Sequence, residues 1–292
     1  MTRFVVVPQW QGSPAARAML LALGAEAIAG DLPRARTVRI EVPTSAGESL
    51  DTGIRRFSAL ARTRDTLAEA LAAYERPATS DAADADASDA TAVAEHTIVI
   101  GGDCGVAVPA IALADARHER LAVVWFDAHG DLHTPASSPS GAFAGMALRA
   151  VVEELPLSLA DRGSLVPGDR VVLVGARDLD DAEAAAITEL GLIHLDPDAL
   201  EDSTVLAAAI ARTGATAVHI HVDLDVLDPA VIDGVALPVP FGLSLDTLLA
   251  AIRAVRAEVP LAGASIAGFA PSTPTAAVDD LGTILRVVGA LA

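Results

Sequence analysis

The chain has 292 residues, of which 52% are hydrophobic, and its formal net charge is −19. All 20 of its basic residues are arginine, and so acidic a surface argues against nucleic acid or an anionic membrane as a partner. The single cysteine excludes a disulfide framework within the chain and fits a cytoplasmic location. No uncharged apolar stretch reaches the length of a membrane helix, and Pro8 and Gln9 interrupt the apolar start, so we expect a soluble protein.

Strand-like apolar runs alternate with Ala/Leu-rich helical runs along the chain. The predicted strands cover residues 4–7, 37–42, 97–100, 121–126, 170–174, 192–195, 217–222 and 263–269. Predicted helices between them include residues 15–29, 54–74, 182–190 and 245–259. Alternation at this spacing, with strands apolar on both faces, predicts an α/β fold in which helices cover both sides of a mainly parallel central sheet.

Residues 77–95 interrupt this alternation. Ala, Asp, Ser and Thr dominate the segment, Val93 is its only large apolar residue, and four aspartates fall within nine residues from Asp81. We expect a mobile, solvated loop here rather than a linker between domains. Because the candidate site residues come from most of the chain and must meet in one place, a single domain over residues 1–292 is predicted.

Two apolar strands end in clusters of metal-binding residue types. Asp127, His129 and Asp131 follow the strand at 121–126, and Asp223 and Asp225 follow the strand at 217–222. Alternate side chains of an extended strand point the same way, so each cluster can converge on one point. An isolated Asp-x-His or Asp-x-Asp is ordinarily a strand-end turn, but carboxylates clustered this tightly would repel one another without a cation. Four carboxylates and an imidazole suit Mn²⁺ or a similar hard divalent ion.

Three motifs occur in a fixed order, each after a predicted strand: Gly101-Gly102-Asp103-Cys104, Asp127-Ala-His-Gly-Asp131 and Asp223-Leu-Asp-Val-Leu-Asp228-Pro229. In order and spacing they resemble the motifs of the arginase/agmatinase ureohydrolases, over roughly residues 97–275. The resemblance implies a three-layer arginase-like fold and metal-dependent hydrolysis of a C–N bond in a linear amidine or guanidino-type small molecule, through a metal-bound hydroxide. It also implies a homo-oligomer, either a trimer or a hexamer.

The resemblance further implies a role for each residue of these clusters. Asp127 and Asp223 would bridge two metal ions. His129 and Asp225 would complete the coordination of one ion, and Asp131 would bind the other. Asp131 would also act in catalysis by orienting the attacking hydroxide.

Cys104 would be the remaining ligand of the ion bound by Asp131, at a position where the family usually has an imidazole. A thiol has a reference pKa of about 8.5 and must ionise to be a good ligand, and the thiolate is softer than Mn²⁺ prefers. Two alternatives remain open. Either the first metal is changed or more weakly bound, or Cys104 stays a buried thiol and the site holds one ion, so one or two Mn²⁺ per chain are expected.

Two further departures concern the reaction. Ala144 stands where arginases have a histidine that transfers protons, and Gly268 stands where a glutamate contacts the substrate guanidinium. His133 and His221 are extra histidines beside the motifs, and either could take over acid–base work. We assign this role to His133 and expect His221 to face away from the metals. Standard arginase or agmatinase activity is therefore not expected.

A recognition segment is retained. Ser140 belongs to a Ser-Gly pair that the family shares, and Asp180 and Glu183 match a loop that lies near the substrate's α-amino group, which implies a cationic or amino-acid-like substrate. The same two acids also fit the N-terminus of a helix, where carboxylates cap free N–H groups. As an alternative function, the chain would be a catalytically impaired member of the fold with a binding or regulatory role.

Overall fold

One parallel sheet forms the centre of the computed structural model, which describes residues 2–73, 96–158, 165–202 and 204–292. Its strands are β1 Arg3–Val7, β2 Thr37–Arg39, β3 Thr97–Gly101, β4 Leu121–Phe126, β5 Val171–Val174, β6 Ile193–Leu195, β7 Ala217–Asp223 and β8 Leu261–Ala267. The strand order is β2-β1-β3-β8-β7-β4-β5-β6, and all of these neighbours pair in parallel. The predicted α/β fold with a mainly parallel sheet is confirmed.

Helices lie on both sides of the sheet. They are α1 Leu20–Gly30, α2 Phe57–Ala73, α3 Ala107–Asp115, α4 Arg149–Val152, α5 Asp181–Leu190, α6 Thr204–Thr213, α7 Leu245–Glu258 and α8 Pro274–Leu291. The helices α1, α6, α7 and α8 pack on one face of the sheet, and α2, α3, α4 and α5 pack on the other. Within the described ranges, no helix is long and apolar enough to cross a membrane.

The central strands are buried on both faces. In β4, Val124 and Phe126 point into the core on one side of the sheet, and Val123 and Trp125 point into the core on the other. Burial of both faces explains why these strands have continuous apolar runs instead of alternating polar and apolar residues. The same alternation determines to which face of the sheet each side chain near the carboxyl end of a strand points.

Several bounds differ from the predicted ones. Helix α1 begins at Leu20 rather than at residue 15, and β2 ends at Arg39 rather than at residue 42. Strand β8 ends at Ala267, not at residue 269, because Gly268 has a φ of +89° and cannot continue an extended strand. The helices α3, α4, α6 and α8 are additional to the predicted ones. The predicted loop at residues 77–95 lies outside the described residues, and the single-domain organisation stays a prediction.

The strand order brings distant motifs to one place. Strands β3, β8, β7 and β4 are consecutive neighbours in the sheet, and their carboxyl ends are followed by Cys104, Gly268, Asp225 and Asp127, respectively. In open parallel α/β sheets, the carboxyl ends of the strands are where ligands bind. Residues separated by more than a hundred positions therefore meet at a single edge of the sheet.

Candidate active site

A cavity of about 270 Å³ lies at the carboxyl edge of the sheet. All ten site residues predicted from the sequence line it: Cys104, Asp127, His129, Asp131, His133, Ser140, Asp180, Glu183, Asp223 and Asp225. Ala144 and Gly268, the two positions at which the chain departs from the resemblance, line the same cavity. The structure therefore gathers the predicted residues in one place, and their contacts indicate what each can do.

Asp127 is at the centre of the cluster, immediately after β4. Its Oδ2 accepts a hydrogen bond from Nε1 of Trp125 at 3.0 Å, and its Oδ1 accepts one from the His129 backbone N–H at 2.8 Å. The His129 ring is held between two carboxylates, because its Nδ1 lies 3.3 Å from Asp127 Oδ1 and 3.2 Å from Asp225 Oδ2. One donor atom from each of these three residues lies within 4.8 Å of the others, close enough for all three to hold one metal ion.

A proton on His129, or a metal ion in its place, can offset the charge of the two carboxylates. Burial alone would lower the pKa of this imidazole, but its contacts with Asp127 and Asp225 raise it to about 12. For Asp127, burial acts to raise the pKa, and the His129 contacts outweigh burial and lower it. A positive charge is therefore stabilised between these two carboxylates.

Cys104 contacts the second aspartate cluster. Its thiol donates a hydrogen bond to Asp223 Oδ2 at 2.8 Å and lies 4.0 Å from Asp127 Oδ2. Burial raises the pKa of Cys104 well above its ordinary value, and the neighbouring Asp223, Asp131 and Asp127 raise it further. These effects favour the protonated thiol. Cys104 packs in the apolar cluster on the α3 side of the sheet, and its sulfur contacts the carboxylates.

Asp103, which the sequence analysis did not assign to the site, positions the loop that bears Cys104. Its carboxylate accepts hydrogen bonds from Gln9 Nε2 at 2.8 Å, from the Gly12 N–H at 2.9 Å and from the Gly105 N–H at 3.1 Å. These contacts join the segment after β1 to the segment after β3. Asp103 therefore has a structural role: it holds the loop that places its neighbour Cys104 at the cavity.

Asp131 has an unusual environment for a carboxylate. It is only 5% exposed, its φ is +53°, and its Oδ2 has no hydrogen-bond partner among the described residues. Burial and the charge of Asp127 raise its pKa well above the usual range, and Asp223 is affected in the same way by burial and by Asp225. Buried carboxylates crowded in this way need protons or cations. The residues present therefore fit a divalent cation.

His221 was expected to face away from this cluster, and that expectation is wrong. His221 lies two residues before Asp223 on β7, so the period of the strand places both side chains on the same face. A ring nitrogen of His221 lies within 4.8 Å of both Cys104 Sγ and a carboxylate oxygen of Asp127. Burial lowers the pKa of His221 to about 4, so this imidazole is neutral.

His133 pairs with the two acids that were predicted to bind a substrate amino group. Its Nε2 lies 3.3 Å from Asp180 Oδ2 and 4.0 Å from Glu183 Oε2, and its Nδ1 lies 3.1 Å from Ser137 Oγ. A substrate ammonium would therefore share these carboxylates with the His133 ring. The backbone N–H of His133 also donates to the Gly145 carbonyl at 3.0 Å, which places His133 beside Ala144 in the fold.

Asp180 and Glu183 also cap helix α5, as the alternative interpretation predicted. The Asp180 carboxylate accepts hydrogen bonds from the Ala182 and Glu183 N–H groups, each at 2.9 Å, and the Glu183 carboxylate accepts from the Asp180 N–H at 3.4 Å. This reciprocal pattern is a capping box. Since the same carboxylates line the cavity, capping and ligand binding are compatible roles here.

Gly268 excludes a side chain through its backbone as well as through its residue type. A Cβ at this position would lie 2.1 Å from Asp223 Oδ1, and the φ of +89° is strained for any other residue. A glutamate at residue 268 would displace Asp223 or change the backbone. The local conformation therefore excludes a carboxylate side chain at residue 268.

Gly268→Ala is expected to destabilise the metal-free protein, by about 1–3 kcal/mol from the backbone strain alone and by more if Asp223 cannot move. Gly282→Ala, on helix α8, is the matched control, because its Cβ would meet no atom within 4 Å. This control should be neutral or stabilising by up to about 1 kcal/mol. Urea denaturation of both variants measures the difference. Equal midpoints would show that the Gly268 backbone is not restrictive.

Comparison with known proteins supports the resemblance. Residues 33–283 match the model of the Arginase family. An arginase from Bacillus caldovelox is 32% identical over 224 residues, which cover 74% of this chain and 67% of that protein. Matches to arginases from Brevibacillus brevis and Staphylococcus aureus (strain COL) span 55% and 51% of their lengths. The chain thus matches about half to two thirds of the length of these curated relatives.

Solved structures agree with the chain over nearly its whole length. Entamoeba histolytica arginase in complex with L-ornithine superimposes with a TM-score of 0.81 at 22% identity, covering 99% of this chain and 97% of that chain. The native arginase from Bacillus caldovelox superimposes with a TM-score of 0.79 at 25% identity, with the same coverage. The predicted three-layer, arginase-like fold is confirmed.

Proposed function

The chain belongs to the arginase family, and we propose that it is a metal-dependent hydrolase acting on a C–N bond of a linear amidine or guanidino-type small molecule. We propose further that it is neither a standard arginase nor a standard agmatinase. The main support is the convergence of Asp127, His129, Asp131, Asp223 and Asp225 on one cavity. A homo-oligomer, as a trimer or a hexamer, is part of the proposal because the family resemblance implies it. A cytoplasmic location is part of it because a single cysteine fits a reducing compartment.

The proposed cofactor is Mn²⁺, one or two per chain. Asp127, His129 and Asp225 would hold one ion, since their donor atoms already lie within 4.8 Å of one another, and Asp223 and Asp131 would add carboxylate oxygens. When bound, such an ion would lower the pKa of a water molecule and stabilise negative charge that develops on the substrate. Hard oxygen-rich donors match Mn²⁺ in this role.

Two residues of the chain would handle the water and its proton. Asp131 has an oxygen without a hydrogen-bond partner among the described residues, so it can accept a hydrogen bond from the attacking water and orient it. His133 lines the cavity beside Ala144, and imidazole is the side chain that most often serves as a general acid or base. We assign to His133 the proton transfer that Ala144 cannot perform.

Ser140, Asp180 and Glu183 would bind the far end of the substrate. All three line the cavity, but Asp180 and Glu183 already face the His133 ring. A substrate with an amino group would have to share these carboxylates with His133. A less basic amidine, or one with a better leaving group, would need less help from a proton donor at residue 144 and from a carboxylate at residue 268.

A release assay tests this proposal. Chelator-stripped protein is reloaded with Mn²⁺ and offered a panel of amidines, hydroxyguanidines and amides, and released ammonia or urea is measured. At least one compound should turn over, and only with metal. His133→Asn should lower that rate by roughly 10²–10⁴-fold while leaving metal at the Asp127–His129–Asp225 group unchanged, because His133 is outside that group.

One other function is supported by a specific observation. Gly268 has no room for a side chain and Ala144 has no proton to give, which together favour a catalytically impaired protein with a binding or regulatory role. The release assay separates the two functions. Full metal loading without turnover of any compound in the panel would reject the hydrolase and favour the binding role.

A further inference from the structure

A second donor group shares Asp127 with the first one. Cys104, Asp127 and His221 each place one ligand atom within 4.8 Å of the others. The three residues are 4%, 1% and 0% exposed, respectively. The group contains a sulfur and a nitrogen, whereas the Asp127–His129–Asp225 group contains a nitrogen and carboxylate oxygens. The two groups therefore differ in the ions that they prefer.

The ring of His221 is held in one orientation. It packs against Trp125, with ring centroids 3.9 Å apart and ring planes tilted by 38°, and its Nδ1 lies 2.9 Å from Ser265 Oγ. The Ser265 oxygen is also 3.1 Å from Nε2 of His219, so this hydroxyl can donate to one ring and accept from the other. With Nδ1 engaged by Ser265, Nε2 is the nitrogen of His221 that is left for a ligand.

Nε2 of His221 is a buried polar atom without a hydrogen-bond partner in the described part of the chain. Buried polar atoms are almost always satisfied by a protein group, an ordered water or an ion. This nitrogen is on the face of β7 that also presents Asp223, whose Oδ2 accepts the Cys104 thiol at 2.8 Å. An unsatisfied imidazole nitrogen beside a thiol and a carboxylate is the donor set of a zinc site.

We propose that Cys104, Asp127 and His221 form a metal position for a thiophilic ion such as Zn²⁺, next to the oxygen-rich position of Asp127, His129 and Asp225. Thiolate and imidazole suit Zn²⁺, whereas Mn²⁺ prefers carboxylate and water ligands. The inference rests on the proposed metal dependence and extends it, because the two positions would hold different ions. Cys104 is thereby a ligand in its own right, rather than a weaker substitute for an imidazole at a manganese position.

Binding at this position requires the thiolate. The S–H proton that Cys104 shares with Asp223 leaves to solvent as the metal–sulfur bond forms, and no electrons are transferred. The position also provides a partner for the Nε2 atom of His221. Mn²⁺ alone should therefore fill about one position per chain, whereas Co²⁺, which accepts sulfur, should fill about two.

Cobalt spectroscopy tests the sulfur ligand. Metal-stripped protein titrated with Co²⁺ should develop the near-ultraviolet absorption of a thiolate–cobalt bond, and Cys104→Ser should lack it. X-ray absorption of the unmutated protein with one equivalent of Zn²⁺ should show a sulfur neighbour at about 2.3 Å. This second measurement needs no variant to fold. The proposal would be overturned if the cobalt spectrum lacked the thiolate absorption and the X-ray absorption showed only oxygen and nitrogen neighbours of the zinc ion.

The imidazole ligand is tested with a matched pair of variants. His221→Gln should weaken Co²⁺ binding at the sulfur-containing position by at least about tenfold, since even outer partners of ligands change affinity by 10–100-fold. His219→Gln is the control, because His219 is equally buried on the same strand and contacts the same Ser265, but lies outside the donor group. It should bind Co²⁺ nearly as the parent does. Equal affinities of His221→Gln and the parent would remove His221 from the site.

These measurements are independent of turnover. A protein that shows the cobalt–sulfur absorption but hydrolyses nothing would contradict the proposed function and support the metal assignment. A Mn²⁺-dependent hydrolase without sulfur coordination would do the reverse. The two proposals can therefore fail separately.

Discussion

Asp127→Ala is expected to abolish metal binding at both donor groups and, with it, any hydrolytic rate. Asp127 is the residue that the two groups have in common, so its removal takes a carboxylate from each. Metal content after dialysis against Mn²⁺ and Zn²⁺ measures the first effect. The release assay measures the second, and no rate above the metal-free background is expected.

The same variant should lose stabilisation by metal. For the parent, Mn²⁺ at about 100 times its dissociation constant should add about 2.7 kcal/mol to the free energy of unfolding. For Asp127→Ala, the melting temperature should be the same with Mn²⁺ as with a chelator. In the metal-free protein, the loss of the acceptor for Trp125 Nε1 costs about 1–3 kcal/mol, and relief of repulsion among the remaining carboxylates offsets part of it.

Asp178→Ala is the control for this experiment. Asp178 also lines the cavity and lies beside His129, 3.9 Å from its Nε2, but its side chain is 70% exposed and it belongs to neither group that contains Asp127. It should retain metal and the metal-dependent rise in melting temperature. If Asp127→Ala bound as much Mn²⁺ as Asp178→Ala does, the proposed site would be wrong.

The parallel sheet could be predicted because its strands are buried on both faces and are therefore apolar throughout. The strand order could not be predicted in the same way. Strand β8 inserts between β3 and β7, and this choice depends on packing across the whole sheet rather than on any local pattern. The strand order is nevertheless what brings the segments after β3, β4 and β7 to one cavity. The motifs can therefore be identified from the sequence, but the place where they meet cannot.

Local periodicity predicted most of the carboxylate cluster and would also have placed His221 correctly. Counting two residues back from Asp223 puts His221 on the same face, and counting two back from Asp127 does the same for Trp125. A comparison with its immediate neighbour, Val222, is misleading for His221, because adjacent side chains of a strand point to opposite faces. The two-residue period of a strand is thus sufficient to predict which side chains of that strand share a face.

Contacts between distant segments could not be obtained in this way. His133 faces Asp180 and Glu183, which lie almost fifty residues further along the chain, and no sequence pattern links them. The conformation of Gly268 is similarly hidden, because a glycine in sequence does not reveal a positive φ or the proximity of Asp223. Both features shape the cavity in which we propose that the substrate binds.

L-arginine and agmatine are expected to give negligible urea. Gly268 offers no carboxylate to the guanidinium, and losing such a charge-assisted contact costs about 1.5–3 kcal/mol, or roughly 10–100-fold in rate. Ala144 offers no general acid, which costs up to roughly 10²–10⁴-fold more for a strongly basic leaving group that only His133 is left to protonate. An Nω-hydroxylated analogue has a less basic amidine and a better leaving group, so it depends less on both residues and should react faster with the same Mn²⁺-loaded protein.

Ala144→His is the variant that tests this explanation. Ala144 lines the cavity, so an imidazole there would face the substrate and should raise the rate with L-arginine more than the rate with the hydroxylated analogue, because only the former needs a strong proton donor. Gly268→Glu cannot serve the same purpose, since its Cβ would collide with Asp223 Oδ1 and disturb the metal position. Steady-state urea release from both compounds gives the ratio of rates. Efficient urea release from L-arginine by the unmodified protein would show that neither missing group limits the reaction.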